Sequence, residues 1–221
     1  ATVHYRQGDS DEDRTAYGEV VLAAIGRVPN TDADWFRSSG LKLDERGYVT
    51  VDGYGRTNLD GVWALGDITP GHALAHRAFE QGITIAEKIA GADPKPVIDD
   101  TVPQVVFSFP EAASVGLTLD QAKAREDVVE PKETAYPMLS NARMLMSGTA
   151  GSLTIVSGCD AANPDTPRVL GVHMVSQMAS DIIAEAEQLV GNHVPLADAA
   201  RLVHPHPTFS ETLGEALLKA D

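Results

Sequence analysis

A short proline-bearing segment divides this sequence into two parts with different patterns. The segment reads Ala-Asp-Pro-Lys-Pro-Val over residues 92–97, so two prolines fall within six residues. Proline has no amide hydrogen and a fixed φ, so it continues neither a helix nor the middle of a sheet. We therefore predict a linker here and a domain boundary near residue 98. The 221 residues are enough for two small domains.

The part before the linker has the pattern of an α/β fold. The run Glu19–Ile25 is apolar almost throughout, which is typical of a strand buried on both faces. Together with the alternating segment Ala1–Arg6 it predicts a hairpin, with the acidic stretch Gly8–Arg14 as the turn. Shorter strands are predicted at Gly47–Val51 and Val62–Leu65, and helices at 34–39 and 74–90.

The part after the linker has the pattern of an α+β fold. Thr118 is a favourable N-cap for a helix that runs to Ala124. The acidic, proline-bearing segment Asp160–Pro167 predicts a loop between two strands. The predicted strands are 105–109, 133–136, 152–157 and 169–175, and the later helices are 180–190, 196–201 and 210–218.

The charge and the cysteine count exclude several kinds of partner and compartment. With 17 basic and 32 acidic residues the formal net charge is −15, which repels nucleic acid and anionic lipid. No apolar run reaches the roughly 20 residues of a membrane span, and the polar N-terminus does not resemble a signal peptide. The single cysteine, Cys159, makes no internal disulfide. We expect a cytoplasmic protein without a metal site.

The segment Thr57–Asp67 ends an apolar strand with a carboxylate, just before a predicted helix. Ligands of open α/β sheets bind beyond the carboxyl ends of the strands. There Asp67 can accept a hydrogen bond from a sugar or ribityl hydroxyl, and Gly66 lets the backbone approach a ligand. The helix that starts near Leu74 directs free N–H groups to the same place. The same residues also fit a tight turn with a capping aspartate.

The segment Leu202–Glu211 alternates two histidines with two prolines, ahead of the last helix. Prolines restrict the backbone, and Ser210 is a plausible N-cap for the helix. A carboxylate that bonds one imidazole nitrogen orients the ring and leaves the other nitrogen free as a base. His206 and Glu211, five residues apart, suit these roles. A proline-rich turn with a surface histidine fits the segment as well.

Two segments before the linker resemble motifs of the pyridine nucleotide-disulfide oxidoreductases. T-x-x-x-x-V-x-A-x-G-D, over 57–67, is similar to the second flavin-binding motif of that family. The resemblance implies that Asp67 contacts the ribityl chain of FAD and that the backbone of Ala75 approaches the flavin ring. Ala24–Thr31 resembles the signature that closes the NAD-binding domain, which places Gly26 near the nicotinamide.

The histidine segment resembles the active-site signature H-x-H-P-T-x-S-E of the dihydrolipoamide dehydrogenases, a branch of the same family. The resemblance implies that His206 is the acid/base and that Glu211 orients it. His204 favours this branch over the glutathione reductases, whereas Pro205 replaces the small residue that is usual there. It also implies a homodimer whose subunits share the active site, and lipoyl domains of a 2-oxo acid dehydrogenase complex as partners.

The resemblance implies three domain segments and a longer parent protein. Residues 1–31 correspond to the end of the NAD-binding domain, 32–98 to the C-terminal part of the FAD-binding domain, and 99–221 to the dimerisation domain. The family's glycine-rich turns and its C-x-x-x-x-C pair do not occur in this sequence. We therefore expect the chain alone to be inactive in disulfide chemistry. Three alternatives stay open: another thiol, disulfide or quinone reductase of the family, an isolated dimerisation module, and a flavin-free binding protein with the same fold.

Overall fold

The computed structural model describes all residues from 1 to 221. Before the linker, the strands β1 (Thr2–Tyr5) and β2 (Arg14–Tyr17) form an antiparallel hairpin. The helices of this part are α1 (Asp34–Ser38) and α2 (Ala75–Ile89). Both predicted helices are therefore confirmed, and a hairpin is present, but its second strand is Arg14–Tyr17 and not the predicted run Glu19–Ile25.

The predicted strand at Glu19–Ile25 is wrong, because this run has no regular secondary structure. Its apolar side chains are exposed, and that of Ile25 is 99 % exposed. A strand buried on both faces needs neighbours that bond its N–H and C=O groups, but β2 ends at Tyr17 and no other strand of the chain pairs with the run.

The two shorter predicted strands before the linker are only isolated bridges. Val49 pairs with Leu43, and Trp63 pairs with Arg56, each as a single antiparallel bridge. An aspartate turn connects the residues of the first bridge, in which Asp44 Oδ1 accepts from the amides of Arg46 and Tyr48 at 2.9 Å each. A small core of Phe36, Val49 and Ala64 holds this region together.

After the linker, five strands form one antiparallel sheet in the order β3-β4-β7-β6-β5. Their bounds are β3 Gln104–Val106, β4 Glu111–Gly116, β5 Val128–Pro137, β6 Ser152–Asp160 and β7 Asn163–Ser176. The helices are α3 Leu119–Ala124, α4 Ala142–Ser147, α5 Ala179–Gly191, α6 Leu196–Ala199 and α7 Glu211–Ala220. This arrangement confirms the predicted α+β class.

The main core lies between the sheet and the helices α5, α6 and α7. Ile182, Ala186 and Leu189 recur at helical spacing on the buried face of α5. Leu153 and Ile155, two residues apart on β6, point to the same face of the sheet. This packing fixes α5 and α7, the two helices that support the histidine segment Leu202–Glu211.

Local sequence signals located some elements correctly and missed others. The predicted cap is confirmed, because Thr118 and Gln121 form a reciprocal capping box at the start of α3. Strand β4 was not predicted.

The predicted loop Asp160–Pro167 is wrong, because β7 begins at Asn163, which pairs with Asp160 across a tight hairpin. An Arg168–Asp160 ion pair, 2.6 Å between Nη2 and Oδ1, keeps these strand ends together.

Candidate functional site

The segment between α6 and α7 presents one histidine to solvent beside a fixed carboxylate. His206 is 71 % exposed, and its Nδ1 lies 2.8 Å from Oε1 of Glu211. Glu211 is the first residue of α7 and is only 19 % exposed. A half-buried carboxylate therefore holds one edge of an exposed imidazole, and the other edge, with Nε2, has no protein partner.

The Glu211 carboxylate is itself oriented by the backbone. Its Oε2 accepts a hydrogen bond from the amide of Thr208 at 2.7 Å. The pKa of Glu211 lies below its ordinary value, first because the Thr208 amide donates to the carboxylate and then because the His206 ring does. At neutral pH the carboxylate is ionised and only accepts. The Nδ1 of His206 must therefore carry the proton, and Nε2 is left as the free basic nitrogen.

Further hydrogen bonds hold the C-terminal side of this segment. The Thr208 hydroxyl donates to the Pro205 carbonyl at 2.7 Å, and the buried Asn141 donates through Nδ2 to the Thr208 carbonyl at 3.0 Å. Ser210 occupies the predicted N-cap position, but its side chain makes no capping bond. The position is confirmed, but a side-chain cap is absent, because the amides of Thr212 and Leu213 donate to the carbonyls of Phe209 and Ser210.

The second histidine of the segment points inward. The side chain of His204 is 9 % exposed, and its Nε2 lies 2.7 Å from Oε1 of Glu185 on α5. The sequence analysis used His204 only as a family marker and missed Glu185 and Asn141. A signal for Glu185 was present, since an acidic residue next to the apolar stripe of α5 is a candidate partner for a buried cation or imidazole.

Asp67 lies in a 3-10 turn, Gly66–Ile68, that packs against α2. The Gly66 amide donates to Oε1 of Gln81 at 2.9 Å, and a Cβ on Gly66 would lie 3.3 Å from that of Ala78. The Asp67 side chain is exposed. The turn therefore sits tightly on the helix and leaves a carboxylate free to accept a hydrogen bond.

Ala75 is the first residue of α2 and is exposed. The N-cap position, Leu74, provides no side-chain hydrogen bond, so the first amides of this 15-residue helix keep their donors. His76, in the same turn, bonds the Pro103 carbonyl through Nε2 at 2.7 Å. The carboxylate turn and the uncapped helix start thus belong to adjoining elements.

Gly26 lies in the exposed coil that follows Glu19–Ile25. Its φ of 129° is in the region that favours glycine, and no atom lies within 4 Å of a Cβ built on it. The structure gives Gly26 no contact with Asp67 or Ala75.

Two protein-family descriptions match the chain. Residues 102–217 match "Pyridine nucleotide-disulphide oxidoreductase, dimerisation domain", and residues 3–82 match "Pyridine nucleotide-disulphide oxidoreductase". The first match covers more than half of the chain. No helix in the structure is both long enough and apolar enough to span a membrane.

Curated relatives and solved structures agree with these matches. The chain is 39 % identical to dihydrolipoyl dehydrogenase of Cupriavidus necator over 100 % of its length and 45 % of that protein. It is 36 % identical to dihydrolipoyl dehydrogenase of Bacillus subtilis over 97 % of its length and 44 % of that protein. The crystal structure of LpdA from Mycobacterium tuberculosis superposes with a TM-score of 0.84 at 29 % identity, covering 99 % of this chain and 47 % of that one. The chain thus spans about half the length of these relatives.

Proposed function

The chain belongs to the pyridine nucleotide-disulphide oxidoreductase family, and from that premise we propose that it is the C-terminal part of a dihydrolipoamide dehydrogenase. The complete enzyme would oxidise dihydrolipoamide to lipoamide and reduce NAD⁺ to NADH. Support comes from relatives named dihydrolipoyl dehydrogenase, with 36–39 % identity over nearly the whole chain.

The observation that carries the proposal is the 2.8 Å contact between His206 Nδ1 and Glu211 Oε1, with Nε2 free. In the proposed role, Nε2 accepts the proton of a substrate thiol. The resulting thiolate is the nucleophile of thiol–disulfide exchange, in which a thiol is inert. The Glu211 carboxylate holds the ring and stabilises its positive charge after the proton arrives. Cys159, the single cysteine, is buried, and burial raises the pKa of its thiol, so it does not serve as the exchange partner.

The turn at Asp67 and the start of α2 suit one part of FAD. The exposed carboxylate would accept a hydrogen bond from a ribityl hydroxyl, and the uncapped amides at Ala75 would favour the electron-rich flavin ring. Bound FAD would supply two-electron redox chemistry. We expect Asp67→Ala to lower the FAD content of the complete gene product, measured from its visible spectrum after desalting. Unchanged flavin content would contradict this contact.

The remaining proposals rest on the family more than on the geometry. Gly26 alone does not form an NAD site, so NAD as the electron acceptor follows from the family resemblance. We propose the segments 1–31, 32–98 and 99–221 as parts of the NAD-binding, FAD-binding and dimerisation domains. A homodimer, lipoyl domains as partners and a cytoplasmic location complete the proposal.

The decisive test replaces the proposed base in the complete gene product. A general base contributes about 10²–10⁴-fold to rate, so His206→Gln is expected to reduce lipoamide turnover by that factor and to keep bound flavin. His4→Gln, at an exposed histidine of β1, is the control and is expected to retain full turnover. Near-normal turnover of His206→Gln would refute the assignment. Faster reduction of glutathione disulfide than of lipoamide by the wild type would favour another member of the family.

A further inference from the structure

A second histidine–glutamate pair lies behind the exposed one. The His204 ring is inserted between α5 and α7, where Nε2 meets the Glu185 carboxylate at 2.7 Å. The two pairs differ in accessibility, because the His204 side chain is 9 % exposed and the His206 side chain is 71 % exposed. The inner ring is therefore a packed element of the fold, and the outer ring is the one that can meet a substrate.

Gly214 makes room for the inner ring. A Cβ on Gly214 would lie 2.5 Å from Nδ1 of His204 and 2.7 Å from its Cε1. Gly214 sits inside α7, where glycine destabilises a helix by about 1 kcal/mol relative to alanine. Helix propensity therefore disfavours glycine at position 214, and the close approach of the imidazole explains why glycine is nevertheless present.

The inner ring also holds the side of the segment that lacks other anchors. After His206, the Thr208 backbone is held by Glu211 and Asn141. Before His206, from Val203 to Pro205, the only side chain that bonds another helix is that of His204. Without it, the backbone before His206 would be held only by the Pro205 carbonyl, which accepts from Thr208 of the same segment and not from another helix.

We infer that His204 and Glu185, with space provided by Gly214, are positioning residues that hold the His206 ring in register with Glu211. The inference rests on the proposed role of His206 but adds residues that do not touch the substrate. A displacement of about 1 Å in a catalytic group costs up to about 10²-fold in rate. We therefore expect His204→Ala to lower kcat for lipoamide by about 10–100-fold and to change KM less.

The direct readout is the tautomer of His206 in the 221-residue chain, measured by long-range ¹H–¹⁵N correlation of the imidazole ring. In the wild type, Glu211 is expected to keep the proton of the neutral ring on Nδ1. His204→Ala and Gly214→Ala are both expected to reduce the fraction of neutral His206 rings that carry the proton on Nδ1. Asp181→Asn, an exposed position one turn earlier on α5, is the matched control and is expected to leave it unchanged.

His204→Ala could act by unfolding the protein, so Gly214→Ala serves as a second variant. It removes no polar group, and alanine stabilises a helix relative to glycine. The double variant His204→Ala with Gly214→Ala is expected to be no worse than His204→Ala alone, because the added methyl group then has no ring to displace. Additive effects would overturn the coupling between the two residues.

The two proposals fail in different experiments. If His204→Ala keeps the wild-type tautomer, the positioning role is overturned, whatever the turnover. If the tautomer responds as expected while His206→Gln keeps full turnover, the positioning role stands and the proposed function falls. A wild-type ring without a preference for Nδ1–H would overturn both.

Discussion

The parts of the chain before and after the proline-bearing linker are held together in different ways. After the linker, 22 buried residues form one core between the sheet and its helices. Before it, the hydrophobic cluster has three buried residues, and short-range hydrogen bonds supply much of the order. Asp52 repeats there the pattern of Asp44, with Oδ1 accepting from the amides of Tyr54 and Arg56 at 2.9 Å each.

This difference separates two sources of native structure. Aspartate turns depend on residues two to four positions apart, so they form wherever that local sequence occurs. A sheet core depends on residues far apart in sequence, such as Ile155 of β6 and Leu213 of α7, which belong to one buried cluster. We therefore expect substitutions in the large core to affect the second part far more than matched substitutions affect the first.

The largest effect is expected for Ile155→Ala. Ile155 is fully buried in the large core, and truncation of a buried isoleucine to alanine destabilises a protein by about 2–5 kcal/mol. Urea denaturation followed by far-UV circular dichroism measures the change. Ile25→Ala makes the same chemical change in the exposed run before the linker, where about 0.5 kcal/mol or less is expected. Equal losses for the two variants would contradict the comparison.

A smaller effect is expected for Val49→Ala in the cluster before the linker. Val49 is fully buried, and the loss of two methyl groups costs about 1–2 kcal/mol. The protein's two tryptophans, Trp35 and Trp63, both lie in this part, so their fluorescence follows its unfolding. The fluorescence transition is expected to move and the circular dichroism transition of the sheet to stay.

Val28→Ala, at an exposed valine of the same part, is the control for Val49→Ala. Were both transitions to shift together in Val49→Ala, the two parts would unfold as one unit and the comparison would lose its basis.

The same distinction explains which features could be read from the sequence. The capping box of Thr118 and Gln121 and the helical stripe of α5 follow from local spacing, and both are present. The apolar run Glu19–Ile25 predicted burial, but burial requires partner strands that this chain does not provide. Strand β4 was missed because Glu-Ala-Ala-Ser has little intrinsic strand preference, and its pairing with β7, about 60 residues later, forms it.

The candidate site shows the same limit. His206 and Glu211 are five residues apart, so sequence reasoning could consider them together. Glu185 is separated from His204 by 19 residues, and only the packing of α5 against the segment brings them into contact. The proposed catalytic pair was therefore accessible to sequence analysis, and the pair that supports it was not.

The smallest effect on stability is expected at an exposed ion pair, which belongs neither to an aspartate turn nor to the sheet core. Arg125 bonds Asp127 at 2.7 Å and Asp100, just after the linker, at 2.9 Å. The pKa of Asp127 falls from 3.8 to about 2, first because the Arg125 side chain donates to it. Arg125→Ala is expected to return this pKa toward 3.8, measured by ¹³C NMR of the carboxylate.

The effect on stability has a defined sign. The folded-state pKa of Asp127 is depressed, so the ion pair contributes stability above the unfolded pKa of 3.8, and this contribution is lost as the pH falls through the folded pKa of about 2. The stability difference between wild type and Arg125→Ala is therefore expected to be small at neutral pH, because the pair is exposed, and to shrink as the pH falls from 3.8 through about 2. A difference that does not shrink over this range would mean that Arg125 acts through packing of its aliphatic stem and not through its charge.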